Sequence, residues 1–262
     1  MSILFGYALT GLLAGFLAGL LGIGGGLVIV PLLTLMFALQ GFEAALVMPF
    51  ALGTSMAAIV FTSVSSMYAH HARHAVDWGI VRNMAPGIVL GTLLGAILVA
   101  QVPQSVLRGI FVLNVAFAVV QLLGKIEPRP TTRIPGRPGL IAVGGAVGGV
   151  SMLAGIGGAT ITVPFMLWSN VPARVAIGTA AALGLPIALF GTIGYVAIGM
   201  SIHGRPPYAV GFVHLPALAA IVGASMISAP LGAAASHNLP VPVLKRCFVC
   251  MLLAATVKMM LG

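Results

Sequence analysis

Two glycine-rich stretches of this chain repeat one another and have the composition of a membrane-embedded anion site. Residues 15–31 read GFLAGLLGIGGGLVIVP, and residues 148–164 read GGVSMLAGIGGATITVP. Glycines clustered inside an apolar run free backbone groups, which persist at membrane depth only where they are buried in protein or line a polar cavity. A duplicated apolar segment interrupted by Gly and Pro is typical of the binding site of a membrane carrier.

Helices that begin just after the glycines would supply the chemistry. The free N–H groups of a helix's first turn, together with the positive end of its dipole, bind an anion without any buried cation. We expect the binding residues of the two stretches to be Gly22, Gly24, Gly25, Gly26, Gly155, Gly157, Gly158, Thr160 and Thr162. Thr160 and Thr162 correspond to apolar Leu27 and Ile29, so the predicted pocket is asymmetric. The alternative is that the glycines only allow close helix packing.

A Gly-Thr pair also occurs once in each half of the chain, at Gly53-Thr54 and at Gly178-Thr179. In the first copy the next residue is Ser55, and these three residues begin a helix that we place beside the glycine stretches. We therefore add Gly53, Thr54, Ser55, Gly178 and Thr179 to the candidate binding residues.

Other polar side chains recur at helical spacing. Ser55, Thr62 and Ser66 share one helix face, where hydroxyls either line a water-filled path or bond back to their own helix; both interpretations stay open. Asn114 and Gln121 share a face of a later helix, and we predict that they hold helices together.

Composition places the whole chain in a bilayer. Hydrophobic residues make up 60% of it, charged residues make up 6%, and the mean hydropathy is +1.17. No soluble domain buries so much apolar surface, so we predict an all-α polytopic membrane protein. The chain has 12 basic and 3 acidic residues. The basic residues lie mostly in short loops, as is usual for cytoplasmic loops of membrane proteins, and they do not indicate nucleic-acid binding.

The chain divides into two homologous repeats. A Pro-rich basic sequence, KIEPRPTTRIPGRP at residues 125–138, cannot form a regular helix. We predict an N-terminal repeat at 1–124, a cytoplasmic linker at 125–138 and a C-terminal repeat at 139–262. The eight apolar stretches are residues 3–39, 44–69, 79–100, 106–124, 139–168, 175–200, 212–235 and 243–261.

The first stretch of each repeat is too long for one crossing. As one straight helix, residues 3–39 would extend about 55 Å, whereas the hydrocarbon core is about 30 Å thick. The stretch must tilt, break or fold back at its glycines. If each glycine stretch crosses once, the protein makes eight passes. If each folds into a hairpin, it makes ten passes with inverted repeats, and nine of the 12 basic residues share the cytoplasmic side, so we favour the hairpin slightly.

Catalytic and metal-binding patterns are missing from the sequence. The carboxylates Glu43, Asp77 and Glu127 lie in loops or at helix ends, away from the mid-membrane position typical of proton-coupled carriers. The three histidines of residues 70–74 lack enough further ligands for a metal site. We therefore predict no metal, no cofactor and no catalytic residues.

These segments together resemble the TauE/SafE family of sulfite exporters. The resemblance rests on the two glycine stretches, the Gly-Thr pairs, HAVD at residues 74–77 and LPVPVLKR at residues 239–246. It covers nearly the whole chain, and the second glycine stretch departs from the family pattern only by Ala159 in place of a third glycine. The resemblance implies a duplicated permease in a prokaryotic plasma or inner membrane, which exports sulfite, sulfoacetate or another sulfur-containing organic anion.

We therefore expect transport, in the export direction, of a small sulfur-containing anion that binds near the midplane at the glycine breaks. The expected partners are this anion and the lipid bilayer, and homo-oligomer formation is left open. The alternatives are uptake of another small anion, an intramembrane enzyme and a structural subunit of a larger complex. The lack of catalytic motifs disfavours the enzyme, and the duplicated broken segments disfavour the structural subunit.

Overall fold

The described part of the chain is built almost wholly from helices. The computed structural model describes residues 2–21, 25–123, 134–202, 204, 206–238, 249–250, 252–254 and 256–259. The helices are α1 (Ser2–Leu21), α2 (Gly26–Leu39), α3 (Ala44–His71), α4 (Trp78–Val99), α5 (Gln104–Leu123), α6 (Arg137–Ala154), α7 (Ala159–Trp168), α8 (Ala173–Met200) and α9 (Leu215–Asn238). Strands β1 (Ala209–Val210) and β2 (Val213–His214) pair antiparallel just before α9. The described residues between 249 and 259 are also helical.

Within the described residues, five helices are long and apolar enough to cross a membrane, namely α3, α4, α5, α6 and α8. Shorter apolar helical stretches occur in α1, α2, α7 and α9. Many leucine and isoleucine side chains on these helices point outwards and stay exposed, as lipid-facing side chains do. The prediction of an all-α membrane protein is confirmed.

The N-terminal glycine stretch is broken and folds back on itself. α1 ends at Leu21, and α2 begins at Gly26. The side-chain nitrogen of Gln40, just after α2, donates to the hydroxyl of Tyr7 in α1 over 2.6 Å. The two residues are 33 positions apart, and one straight helix would separate them by about 50 Å. α1 and α2 are therefore the arms of a hairpin.

The second glycine stretch is broken at the matching place. α6 ends at Ala154, and α7 begins at Ala159. Gly155 and Gly158 both have left-handed backbone, with φ of 65° and 74°, which glycine adopts without steric cost. α7 has 10 residues and rises about 15 Å, roughly half of the hydrocarbon thickness.

The two longest helices, α3 and α8, pack against each other in opposite directions. Gly53 of α3 lies against Tyr195, near the end of α8. Further along α3, Ser63 lies against Gly184, which comes earlier in α8. Because residue numbers rise along one helix as they fall along the other, the helices are antiparallel. They are also the helices that carry the two Gly-Thr pairs. The expectation that residues 53–55 begin a helix was wrong, because α3 begins at Ala44.

Glycines let two further helix pairs approach closely. α1 packs along α9, and α6 packs along α4. At Gly11 and Gly15 of α1, an added side chain would collide with the α9 backbone, and at Gly144 and Gly148 of α6 it would collide with the α4 backbone. Close contact of this kind is how small residues stabilise helix pairs in membranes. For Gly15 and Gly148, the first glycines of the two stretches, the packing interpretation is therefore confirmed.

Candidate functional site

The two glycine breaks touch each other. A side chain at Gly26, the first residue of α2, would lie 3.1 Å from the carbonyl oxygen of Gly155 and 3.2 Å from the α-carbon of Ile156. Ile59 of α3 covers this contact, because its side chain lies 2.9 Å from the same position and 3.4 Å from the corresponding one at Gly157. Candidate residues of both stretches therefore meet in one region.

The start of α7 has backbone donors without an acceptor in the described part of the chain. The amides of Ile161 and Thr162 both bond to the carbonyl oxygen of Gly158, at 3.0 Å each. The amides of Ala159 and Thr160, two residues earlier, have no acceptor among the described residues. Both residues are buried, so these donors also lack free access to solvent. The first N–H groups of a helix are unpaired because no earlier turn offers them a carbonyl oxygen, and they attract negative charge.

Two carbonyl oxygens on the opposite side of the same break accept hydrogen bonds from side-chain hydroxyls. The hydroxyl of Tyr195 donates to the carbonyl oxygen of Met152, at 2.9 Å. The hydroxyl of Ser55 donates to the carbonyl oxygen of Gly155, at 3.0 Å. Both side chains come from the antiparallel pair α3 and α8, and both are fully buried. At these two carbonyls the hydroxyls offset partial negative charge that would oppose an anion bound at the start of α7.

The hydroxyls predicted to bind the anion have protein partners. Thr162 donates to the carbonyl oxygen of Gly158 at 3.0 Å, and Thr160 lies 3.5 Å from the side-chain oxygen of Asn114. The side chain of Gln121 donates to the backbone oxygen of Thr160 at 2.9 Å. Asn114 and Gln121 belong to α5, so the prediction that they hold helices together is confirmed. Both threonines lie at the break, although their hydroxyls already have these contacts.

The first break is described only in part. Gly22 and Gly24, two of the candidate residues, lie outside the described residues. The carbonyl oxygen of Gly25 accepts from the amides of Val28 and Ile29, at 3.0 Å each. This is the contact that Gly158 makes at the second break, so the first turns of α2 and α7 have the same bonding pattern.

The threonines of the two Gly-Thr pairs bind backbone of the opposite half. The hydroxyl oxygen of Thr54 accepts from the amide of His214 at 3.0 Å. The hydroxyl oxygen of Thr179 accepts from the amide of Asp77 at 2.9 Å. His214 and Asp77 occupy matching positions in the aligned halves. Each threonine therefore holds the same segment of the other half.

The glycines of these pairs allow that contact. A side chain at Gly53 would lie 2.6 Å from the carbonyl oxygen of Phe212, and one at Gly178 would collide with the carbonyl oxygen of Ala75. Phe212 and Ala75 also occupy matching positions. Gly53 and Gly178 thus lie at the contact between the halves. Within residues 53–55, it is Ser55 whose hydrogen bond reaches a glycine break.

Sequence reasoning missed one residue at the second break. Ser151 lies in the last turn of α6 and is 0% exposed, and its hydroxyl has no hydrogen-bond partner in the part of the chain that the structure describes. The signal that could have found it is its counterpart in the repeat, Ala18, which has no hydroxyl. The described residues contain no group of three or more His, Cys, Asp or Glu side chains that could hold a metal.

Broken helices whose ends meet inside a bundle of membrane-spanning helices define a class of protein, the polytopic membrane transporters. This chain belongs to the TauE/SafE family, since the family model "Sulfite exporter TauE/SafE" matches residues 7–259. A probable membrane transporter protein of Haemophilus influenzae is 35% identical over 254 residues, which cover 97% of this chain and 96% of the relative. The probable membrane transporter protein YdhB of Bacillus subtilis is 28% identical over 241 residues, which cover 89% of this chain and 90% of the relative.

No solved structure matches this chain. The family and the relatives make the protein a multi-pass membrane transporter and not an enzyme. Its general partners are therefore a small substrate and the lipid bilayer.

Proposed function

We propose that the protein exports a small sulfur-containing oxyanion, such as sulfite or an organosulfonate, across a prokaryotic plasma membrane. The anion binds where the two glycine breaks meet. The observation that carries this proposal is the bonding at the second break: the carbonyl oxygens of Met152 and Gly155 accept from buried hydroxyls, while the first two amides of α7 have no acceptor among the described residues. The name of the family supports the sulfur-containing substrate.

The transporter has two inverted repeats, residues 1–124 and 139–262, joined by a cytoplasmic linker at 125–138. Support for this arrangement comes from the α1–α2 hairpin and from the antiparallel packing of α3 and α8. With five helical segments in each repeat, of which α7 reaches only part of the way through the bilayer, the chain has ten membrane segments, and the repeats enter the membrane from opposite sides. Exchange of conformation between inverted repeats opens the site alternately to each side.

Export requires no coupling ion in this mechanism. In a cell that is negative inside, each negative charge that leaves gains about 2.3 kcal/mol per 100 mV. Glu43 and Asp77 lie just outside the ends of α3 and α4, so neither carboxylate is placed to carry a proton through the membrane. Burial disfavours the charged form of His214, in the connection before α9, and so lowers its pKa.

Flux from liposomes tests the proposal. Purified protein is reconstituted in liposomes loaded with radiolabelled sulfite or sulfoacetate, and efflux is measured with and without an inside-negative potassium diffusion potential. We expect efflux to accelerate with the potential and to be unchanged by an imposed proton or sodium gradient. A strict requirement for a proton gradient would contradict uncoupled export, and the absence of flux for both anions would contradict the substrate class.

A further inference from the structure

The hydroxyl of Ser151 is a fully buried polar group. The side chain is 0% exposed, and its oxygen has no hydrogen-bond partner among the described residues. Serine within a helix ordinarily bonds back to a carbonyl oxygen one turn earlier, as Thr162 does at the same break. Burying a hydroxyl without a partner costs free energy, and each such group in a folded protein calls for an explanation.

This hydroxyl faces the start of α7. Its oxygen lies 3.0 Å from the position that a side chain at Gly158 would take. Gly158 is the residue that caps α7, and the amides of Ala159 and Thr160 follow it without an acceptor among the described residues. A hydroxyl from α6 and amides from α7 thus approach the same place, next to a residue without a side chain.

The matching place in the N-terminal half has no hydroxyls. The hydroxyl residues Ser151, Ser55, Thr160 and Thr162 correspond to Ala18, Ala180, Leu27 and Ile29 in the other half. All four polar positions therefore belong to one break. The first turns of α2 and α7 have the same bonding pattern, so the difference lies in side chains and not in backbone.

We infer that the protein has a single anion site, at the start of α7, and that the Ser151 hydroxyl donates a hydrogen bond to an oxygen of the bound anion. This inference rests on the proposed function and specifies which break binds the substrate. The ligand is an oxyanion with at least two acceptor oxygens, one for the hydroxyl and the others for the first amides of α7. The first break packs against this site through Gly26 and contributes no side-chain donor at the four matching positions.

The test compares two buried hydroxyls. The hydroxyl of Thr92 in α4 is also 0% exposed and has no hydrogen-bond partner among the described residues. It faces Gly148, one turn away from Ser151 along α6. We expect Ser151→Ala to raise the KM for sulfite efflux at least about tenfold, as loss of a hydrogen bond to a charged group does. Thr92→Val should leave KM unchanged. Neither variant should lower the melting temperature in the absence of ligand, because neither breaks an existing hydrogen bond.

A binding measurement separates this inference from the proposed function. The melting temperatures of wild-type, Ser151→Ala and Thr92→Val protein are measured in detergent with sulfite, sulfoacetate or sulfate. We expect anion to stabilise wild-type and Thr92→Val protein and to have at least about tenfold lower apparent affinity for Ser151→Ala. Equal KM and equal stabilisation in Ser151→Ala would overturn the role of Ser151 while sulfite export stands. Wild-type protein that neither moves nor binds any of these anions would overturn both proposals.

Discussion

The hydroxyl oxygen of Thr54 lies 3.0 Å from the amide nitrogen of His214, although the two residues are 160 positions apart in the chain. Thr179 makes the matching contact with the amide of Asp77. Each contact joins the central helix of one half to the segment that precedes a helix of the other half. The halves are therefore joined by two copies of one hydrogen bond.

Thr54→Val and Thr179→Val should each destabilise the protein by about 1–3 kcal/mol, because each leaves a backbone amide without its acceptor, buried at His214 and half-buried at Asp77. The measurement is the midpoint of denaturation in detergent, by circular dichroism. Thr34→Val is the control, since the hydroxyl of Thr34 bonds only to the carbonyl oxygen of Val30 in its own helix. Equal stability of the control and the two test variants would contradict the proposed fastening.

Gly158→Ala should abolish sulfite efflux. The residue has φ of 74°, and a side chain there would lie 2.5 Å from Ile187 and 3.0 Å from the Ser151 hydroxyl. Gly41→Ala is a matched control, because Gly41 has φ of 76° but no atom within 4 Å of the added carbon. Both variants pay the backbone strain of about 1–2 kcal/mol, so only the obstruction differs. Efflux from correctly inserted Gly158→Ala protein at the control's rate would refute the site.

Removing the Ser55 hydroxyl, which donates to the carbonyl oxygen of Gly155, should weaken anion binding although this hydroxyl does not itself bind the anion. Ser55→Ala leaves the carbonyl oxygen of Gly155 unpaired, and its partial negative charge then opposes the bound anion. We expect a rise in KM of about tenfold, measured as the concentration dependence of efflux. Thr192→Ala, which removes a hydroxyl bonded within its own helix, should leave KM unchanged. A lower KM in Ser55→Ala would show that the electrostatic argument has the wrong sign.

The segment between α8 and β1 should lie outside the cell, and the linker at 125–138 should lie inside. Ser201 is exposed at the end of α8, so Ser201→Cys, with Cys247 and Cys250 replaced by serine, should react with an impermeant thiol reagent in intact cells. A cysteine at Thr131 should react only after the membrane is opened. Protection of both positions in intact cells would rule out ten passes with inverted repeats and would leave the anion site untouched.

The departure of the first glycine stretch from one straight helix could be predicted from its length and its glycines. Residues 3–39 exceed the membrane thickness as one straight helix, so they had to tilt, break or fold back, and the structure shows α1 and α2 as the arms of a hairpin. The start of α9 was less well predicted, since residues 212–235 read as one apolar helix. The helix begins only at Leu215, after β2, and Pro216 suits this first turn because it has no amide hydrogen to pair.

The roles of the Gly-Thr pairs could not be predicted from local pattern. Their partners lie 160 and 102 positions away, and periodicity carries no information on such contacts. The same limit applied to Ser151, because its approach to Gly158 depends on the left-handed backbone at Gly155 and Gly158. Asn114 and Gln121 were interpreted correctly, because amide side chains in apolar helices most often bond to a neighbouring helix.

The close packing of Gly11 and Gly15 of α1 against α9, here called the glycine seam, has a consequence for the biosynthesis of the protein. α1 leaves the ribosome first, yet its partner surface on α9 is made only when most of the chain has been translated. Until then Gly11 and Gly15 lack the α9 surface against which they pack in the folded protein. A nascent chain that lacks α9 therefore cannot form this seam, so α1 reaches its final packing only after α9 has been made.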